Sequence, residues 1–230
     1  MAANYNPKIV TDGLVLCLDA GNAKSYPGTG TTWNDISRNG NTGTLTNGPT
    51  YGSDNGGSLI FDGSNDFVEV SPTKLNESIV NSISIECWVY PKTTSYQLIG
   101  GGQDNTGSRY TAAFNINSDG ANIYGFDLEA TSGQVRLTSS SNTLEVNKWK
   151  HLTGTYDGST ASFYINGTLI DSDNGTSGNI INFDNFILGK DIATSRHLNG
   201  NIACFKVYNR ALSASEIEQN FNALRGRFGI

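Results

Sequence analysis

The sequence predicts an all-β domain, two antiparallel sheets stacked as a sandwich and finished by one short C-terminal helix. Three observations carry this expectation. Charged residues make up only 16% of the 230 residues while Gly, Asn, Ser and Thr crowd the chain, a composition for short strands joined by turns. Runs of period two recur from end to end at sandwich spacing. Near the end the period changes once. In "GNIACFKVYNRALSASEIEQNF", Ala203, Phe205 and Val207 alternate with Cys204, Lys206 and Tyr208, whereas Ile217, Phe221 and Leu224 fall on one helical stripe.

Each element follows from its residues. In "KIVTDGLVLCLDA", Leu14, Leu16 and Leu18 share a strand face. Residues 21–55 have Tyr26, Trp33, Ile36, Leu45 and Tyr51 as their only large apolar anchors, and read as a long ordered loop with a short strand at "TGTLTNG". "SLIFDGSNDFVEV" reads as a hairpin turning at Gly63-Ser64-Asn65. In "NSISIECWVYP", Ile83, Ile85, Cys87 and Val89 oppose Ser84, Glu86, Trp88 and Tyr90. "SYQLIGGG", "RYTAAFNINSDG", "ANIYGFDLEA" and "QVRLTSS" continue the series, with Gly100-Gly101-Gly102 as a bulged or flexible strand end and a tight turn at Ser118-Asp119-Gly120. Asp157-Gly158 and Asn166-Gly167 divide "KWKHLTGTYDGSTASFYINGTLID" into a three-stranded meander, and "NFILGKD" adds a strand, giving twelve to fourteen in all. Ser213 and Glu216 are spaced as a capping box, and Gly226 is placed to end the helix. No composition shift marks a boundary, so one domain over 1–230 is expected, with an N-terminal arm at 1–8, the helix at 213–225 and a free tail at 226–230.

The formal charge of −6 and the absence of a basic run argue against nucleic acid as a partner. No basic-then-apolar leader opens the sequence and no apolar stretch reaches membrane-spanning length, so neither a signal peptide nor membrane insertion is expected. Cys17, Cys87 and Cys204 each sit inside a strand-like run, without metal or redox spacing, and read as free buried thiols.

"SLIFDGSNDFVEV", "ISIECWVYP", "KWKHLTGTYDGSTASFYINGTLID" and "LNGNIACFKVYNRALSASEIEQNF", in that order, resemble the laminin-G-like domains of the concanavalin A-like lectin/glucanase superfamily over about residues 9–222. The resemblance implies a jelly-roll of two curved sheets whose last strand leads into a short helix. "GLVLCLDAGNAKSYPGTGTTWNDISRNGNTGTLTNGPTY" and "YNRALSASEIEQNFNALRGRFGI" are similar, more narrowly, to laminin-G-like structural proteins of tailed bacteriophages. That similarity implies a virion component, a head decoration or fibre protein folded in the host cytoplasm. Its partners would be viral structural proteins, further copies of itself in a homo-oligomer, or cell-surface glycans.

Enzyme chemistry is not expected. Glycoside hydrolysis needs two opposed carboxylates, which the glucanase branch supplies as Glu-x-Asp-x-Glu on one strand. Here "YGFDLEA" offers Asp127 and Glu129 with Gly125 in place of a third acid, and reads as a solvated strand face. His151 and His197 lack a nucleophile-elbow partner and read as packing residues. For a ligand, aromatic faces and polar groups are available in Tyr96, Arg109, Tyr110, Asn122 and Tyr124, while Trp33, Trp88 and Trp149 read as core or sheet-packing residues. The resemblance further implies a rim calcium held by Asp104 and Asp191, although Ala203 and Cys204 stand where many relatives carry an acidic pair. The expectation is therefore no required cofactor, with calcium as the one candidate. The first functional reading is a non-enzymatic virion structural protein, and a carbohydrate-binding lectin or adhesin is the alternative.

Overall fold

Alternation along the chain becomes sixteen strands among the residues that the computed structural model describes, 7–106, 109–192 and 196–230. In chain order they are β1 (Leu14–Asp19), β2 (Thr32–Trp33), β3 (Gly43–Thr46), β4 (Thr50–Gly52), β5 (Ser58–Asp62) and β6 (Phe67–Val70). After helix α1 (Thr73–Ser78) come β7 (Ile83–Pro91), β8 (Gln97–Gln103), β9 (Tyr110–Ile116), β10 (Tyr124–Ala130) and β11 (Gly133–Thr138). The chain continues through β12 (Lys150–Tyr156), β13 (Ala161–Ile165), β14 (Thr168–Asp173), β15 (Asn185–Leu188) and β16 (Asn199–Tyr208) to helix α2 (Ala214–Leu224). Most of the expected N-terminal arm, residues 1–6, lies outside the described residues.

Two eight-stranded antiparallel sheets result. The first runs β14-β13-β12-β7-β16-β5-β4, with β1 pairing the second half of β16; the second runs β11-β10-β9-β8-β15-β6-β3-β2. Inward-facing residues of both sheets fill the space between them. Phe114, Phe126, Phe163, Phe186 and Phe205 are wholly buried there, in ring contacts with centroids 5.7–6.5 Å apart. Trp33, expected as core, is buried in the same cluster.

Four sequence expectations change in detail. Gly63-Ser64-Asn65 does not close a hairpin: β5 pairs β16 and β4 in the first sheet, whereas β6 pairs β15 and β3 in the second, so the turn carries the chain across the sandwich. Local turn chemistry is the same in both cases, and only long-range pairing separates them. Gly100-Gly101-Gly102 lies inside β8 rather than at its end, flanked by register shifts. A Cβ on Gly100 would stand 2.8 Å from the Leu188 Cα, so close strand approach excludes a side chain there. In β16 a register shift between Ile202 and Cys204 makes Ala203 the extra residue. Ile202 takes the core position beside Phe205 and Val207, and Ala203 turns outward. A shift after Leu14 moves that residue out of the main core, which Leu16 and Leu18 enter.

The outer face of the first sheet is sealed by the end of the chain. Ser213 caps α2 in the expected capping box with Glu216, which also pairs with Arg210 at 2.6 Å. Ile217 packs beside Tyr208, and Phe221 and Leu224 pack beside Trp88. The α-helix ends at Leu224, two residues before Gly226, and the last residues are not a free tail. A 3-10 turn, Arg225–Phe228, follows, and Gly229 ends it in the left-handed region at φ 72°. Phe228 stacks on Trp88 at 4.1 Å and reaches Trp149 at 4.7 Å. Arg227 holds Asp19 at 2.7 Å and the Asn55 carbonyl at 2.6 Å.

Beneath α2 lies a buried polar cluster. Glu86 accepts from Lys206 Nζ at 3.2 Å and from Asn220 Nδ2 at 3.0 Å, and Asn220 Oδ1 accepts the Val10 amide at 2.7 Å. Burial works against the Lys206 charge, but the Cys204 sulfur and the Glu86 carboxylate beside it more than offset this, and its pKa sits above the ordinary lysine range. His151 Nε2 lies 3.7 Å from Glu86, and neither ring nitrogen has a hydrogen-bond partner among the described residues. Burial pushes its pKa down to about 4, so it packs as a neutral ring.

Candidate functional site

Neither helix lies on the outer face of the second sheet, yet β8, β9 and β10 are buried along their whole length. Half of that burial belongs to the core, which takes Tyr124, Phe126, Leu128 and Ala130 from β10. Strand alternation turns Gly125, Asp127 and Glu129 to the other face. Pairing sets Asp127 opposite Ala113 on one side and Arg136 on the other, with Gly125 opposite Asn115 and Glu129 opposite Gln134. A register shift near the start of β9 brings Tyr110 onto this face beside Leu98 and Ala113.

The polar groups meet in pairs. Arg136 Nε donates to Asp127 Oδ1, and Asn115 Nδ2 donates to Asp127 Oδ2. Arg109 Nη1 donates to Glu129 Oε1 at 3.0 Å. Tyr110 donates its hydroxyl proton to Asp191 Oδ2 at 2.7 Å, and Arg196 Nη1 donates to both oxygens at 3.0 Å. The Arg196 guanidinium also lies 4.1 Å from the Tyr96 ring centroid. In each ion pair the carboxylate is beneath and the guanidinium above: Arg109, Arg136 and Arg196 are 60%, 43% and 35% exposed, their partners 9%, 8% and 0%. Burial raises the Asp127 pKa against the opposing pull of Arg136, and burial followed by the Asp191 contact raises that of Tyr110.

Between Tyr110, Asp127, Gln134 and Arg136 the face opens into a cavity of about 320 Å³. Two buried polar atoms on this face, Thr111 Oγ1 and Asn115 Oδ1, have no hydrogen-bond partner among the described residues. Such atoms are costly unless a ligand or water engages them. A Cβ on Gly125 would stand 2.6 Å from Asn115 Oδ1, so the position where a glucanase would place its third acid is filled by the Asn115 side chain.

Of the sequence candidates, Tyr96, Arg109 and Tyr110 come together here. Tyr124 does not: it shares the parity of Phe126, points into the core, and reaches the Glu145 carbonyl at 3.4 Å. It lines a separate cavity of about 460 Å³ with Ser139, Asn142, Lys150 and Ile170. Asn122 sits in the β9–β10 turn with φ 54° and donates to Asn142 at 3.3 Å. Asp127 and Glu129, expected on a solvated face, are buried and ion-paired, because neighbouring strands on both sides shield them. Sequence reasoning missed Arg136, Asn115 and Arg196. A signal for Arg136 existed, since a two-residue turn at Thr131-Ser132 puts Ala130 opposite Gly133 and therefore Asp127 opposite Arg136.

Both calcium candidates are engaged by other groups. Asp191 is wholly buried with a guanidinium on Oδ2, which already supplies the positive charge a hard cation would bring. Asp104 accepts from Thr106 Oγ1 at 2.8 Å and from the Arg109 amide at 3.3 Å. Among the described residues no group of three or more His, Cys, Asp or Glu side chains converges as a metal site.

A sequence profile of the laminin-G type, described as the concanavalin A-like lectin/glucanases superfamily, matches residues 62–218. No curated protein sequence matches. Among solved structures, the binding domain of Paraclostridial Mosquitocidal Protein 1 is similar at TM-score 0.72 and 19% identity, over 93% of this chain and 52% of that one. The receptor binding domain of botulinum neurotoxin type G is similar at TM-score 0.67 and 19% identity, over 91% and 51%. A structure of botulinum neurotoxin type C, whose cell entry depends on interaction with two ganglioside molecules, is similar at TM-score 0.69 and 18% identity, over 94% and 52%. The chain thus spans about half the length of these structures, and at such identities the likeness is one of fold.

Proposed function

The chain belongs to the concanavalin A-like lectin/glucanases superfamily, and on that premise we propose that it is a non-enzymatic carbohydrate-binding domain whose ligand lies on the outer face of the second sheet. One observation carries the proposal: a sheet face that no helix covers among the described residues holds a cavity edged by Tyr110, Asp127 and Arg136, and on the same face Thr111 Oγ1 and Asn115 Oδ1 have no hydrogen-bond partner among those residues. Sugar hydroxyls are both donors and acceptors, and they suit such a row of half-used amides, hydroxyls and carboxylates. Similar structures whose descriptions concern receptor or ganglioside binding support the same direction. Hydrolysis is disfavoured because Asp127 and Glu129 are each committed to an arginine and Asn115 occupies the space beside Gly125.

The test is a glycan array read with calcium and again with chelator, followed by amide chemical-shift mapping of the best ligand. Binding unchanged by chelator, with shifts at Asn115, Asp127 and Arg136, is the expected result. An empty array overturns the reading, and shifts confined to the cavity at Tyr124 relocate the site.

A structural role on a virus particle, as a head decoration or fibre component, is the second reading. It rests on the resemblance of the C-terminal block to phage structural proteins and on Leu169 and Ile170, exposed side by side on β14, the end strand of the first sheet. Sedimentation tests it: a defined homo-oligomer supports assembly through this edge, and a monomer at high protein concentration counts against it.

A further inference from the structure

Resting on the reading that this face binds saccharide, we infer that the ligand is an anionic one, carrying carboxylate or sulfate, held by the layered arginines Arg109, Arg136 and Arg196. The whole chain is acidic, at −6, so nothing about its overall charge would draw an anion. The geometry of this face does. Three guanidiniums stand outward, at 35–60% exposure, over three carboxylates that are 0–9% exposed. Formal charges cancel within each pair, but an approaching group meets the positive member first and the negative member only through it.

The carboxylates orient the arginines without exhausting them. Arg136 spends Nε on Asp127 and Arg109 spends Nη1 on Glu129; Arg196 spends Nη1 on Asp191 and Tyr110. A guanidinium has five N–H donors in a planar fork. The remaining donors of each match the oxygens of a carboxylate or sulfate, the two-point contact that a lysine cannot make. Stacking on Tyr96 fixes the plane of Arg196 as well. A neutral sugar would use Thr111 and Asn115 yet leave these outward N–H groups to water.

The experiment compares matched pairs of probes by calorimetry. 3′-Sialyllactose against lactose reads the carboxylate source, and a heparin tetrasaccharide against its desulfated form reads the sulfate source. The expected result is at least about a tenfold preference for one acidic member, lost on raising the salt concentration. Arg109→Gln combined with Glu129→Gln, which leaves no buried carboxylate unpaired, is expected to cost about tenfold in affinity for the acidic probe and little for the neutral one. Arg136→Gln alone would strand a buried Asp127, so Arg136→Gln with Asp127→Asn is the companion variant, and it is expected to lose the preference while remaining folded. Equal binding of neutral and acidic members overturns the charge assignment and leaves the carbohydrate reading standing. Failure of all four probes together with an empty array of neutral and acidic glycans overturns both.

Discussion

His151 shows how one residue couples the packing under α2 to pH. In an unfolded chain its ring titrates near the ordinary 6.5, but in the folded protein burial holds it neutral down to about 4. Between these values the unfolded chain binds the extra proton, so stability is intact above 6.5 and falls as the pH drops toward 4. The full loss from this group is about 3 kcal/mol. His151→Phe keeps the stack with Trp88 and Phe221 and removes two ring nitrogens that have no hydrogen-bond partner among the described residues. Urea unfolding midpoints measured from pH 7 to pH 4 are expected to fall less steeply in this variant than in the parent, and equal slopes would remove the assignment. The candidate site, too, is a matter of single residues, and its legibility in the sequence was uneven. Residue type alone named Tyr96, Arg109 and Tyr110, which the fold brings to one face, whereas Tyr124 points inward with Phe126 because of its parity. Asp191 and Arg196 lie five residues apart in the β15–β16 connection, but both meet Tyr110 of β9, and no periodicity encodes that approach.

At the scale of elements, strand and helix identities were largely legible because alternation and turn residues act locally. The meander β12–β13–β14 and the β9–β10 hairpin follow from Asp-Gly, Asn-Gly and Ser-Asp-Gly signals. What escaped were features decided by distant partners: the crossover at Gly63, the extra residue at Ala203, and the fate of the last six residues. "RGRFGI" has no pattern of its own, but Phe228 meets Trp88 and Trp149, which are far away in sequence. Phe228→Ala is expected to destabilise the domain by about 3 kcal/mol through the cavity it leaves. Thermal unfolding followed by Trp fluorescence checks this, and a shift of less than a degree or two would mean that the tail only rests on the surface.

For the molecule as a whole, the two outer faces have opposite treatments. α2 and the 3-10 turn close one sheet over a buried Glu86–Lys206 pair, and the other sheet keeps its polar face open. The same closure has a consequence for how the chain reaches its structure. Among the described residues β1 has one sheet partner, β16, and β16 also pairs β5 and β7, so an early strand of this domain waits for a late one. Contacts so remote in sequence are made late, after most of the loop entropy has been lost, and the first sheet cannot settle in advance. Arrested nascent chains provide the measurement. Lengths that keep residues 199–208 inside the ribosome are expected to stay protease-sensitive throughout, with protection arriving in one step once that segment emerges. While this domain is being made, β1 stays without its sheet partner until β16 emerges, which makes that interval, rather than any later moment, the one in which the domain is most exposed to misassembly.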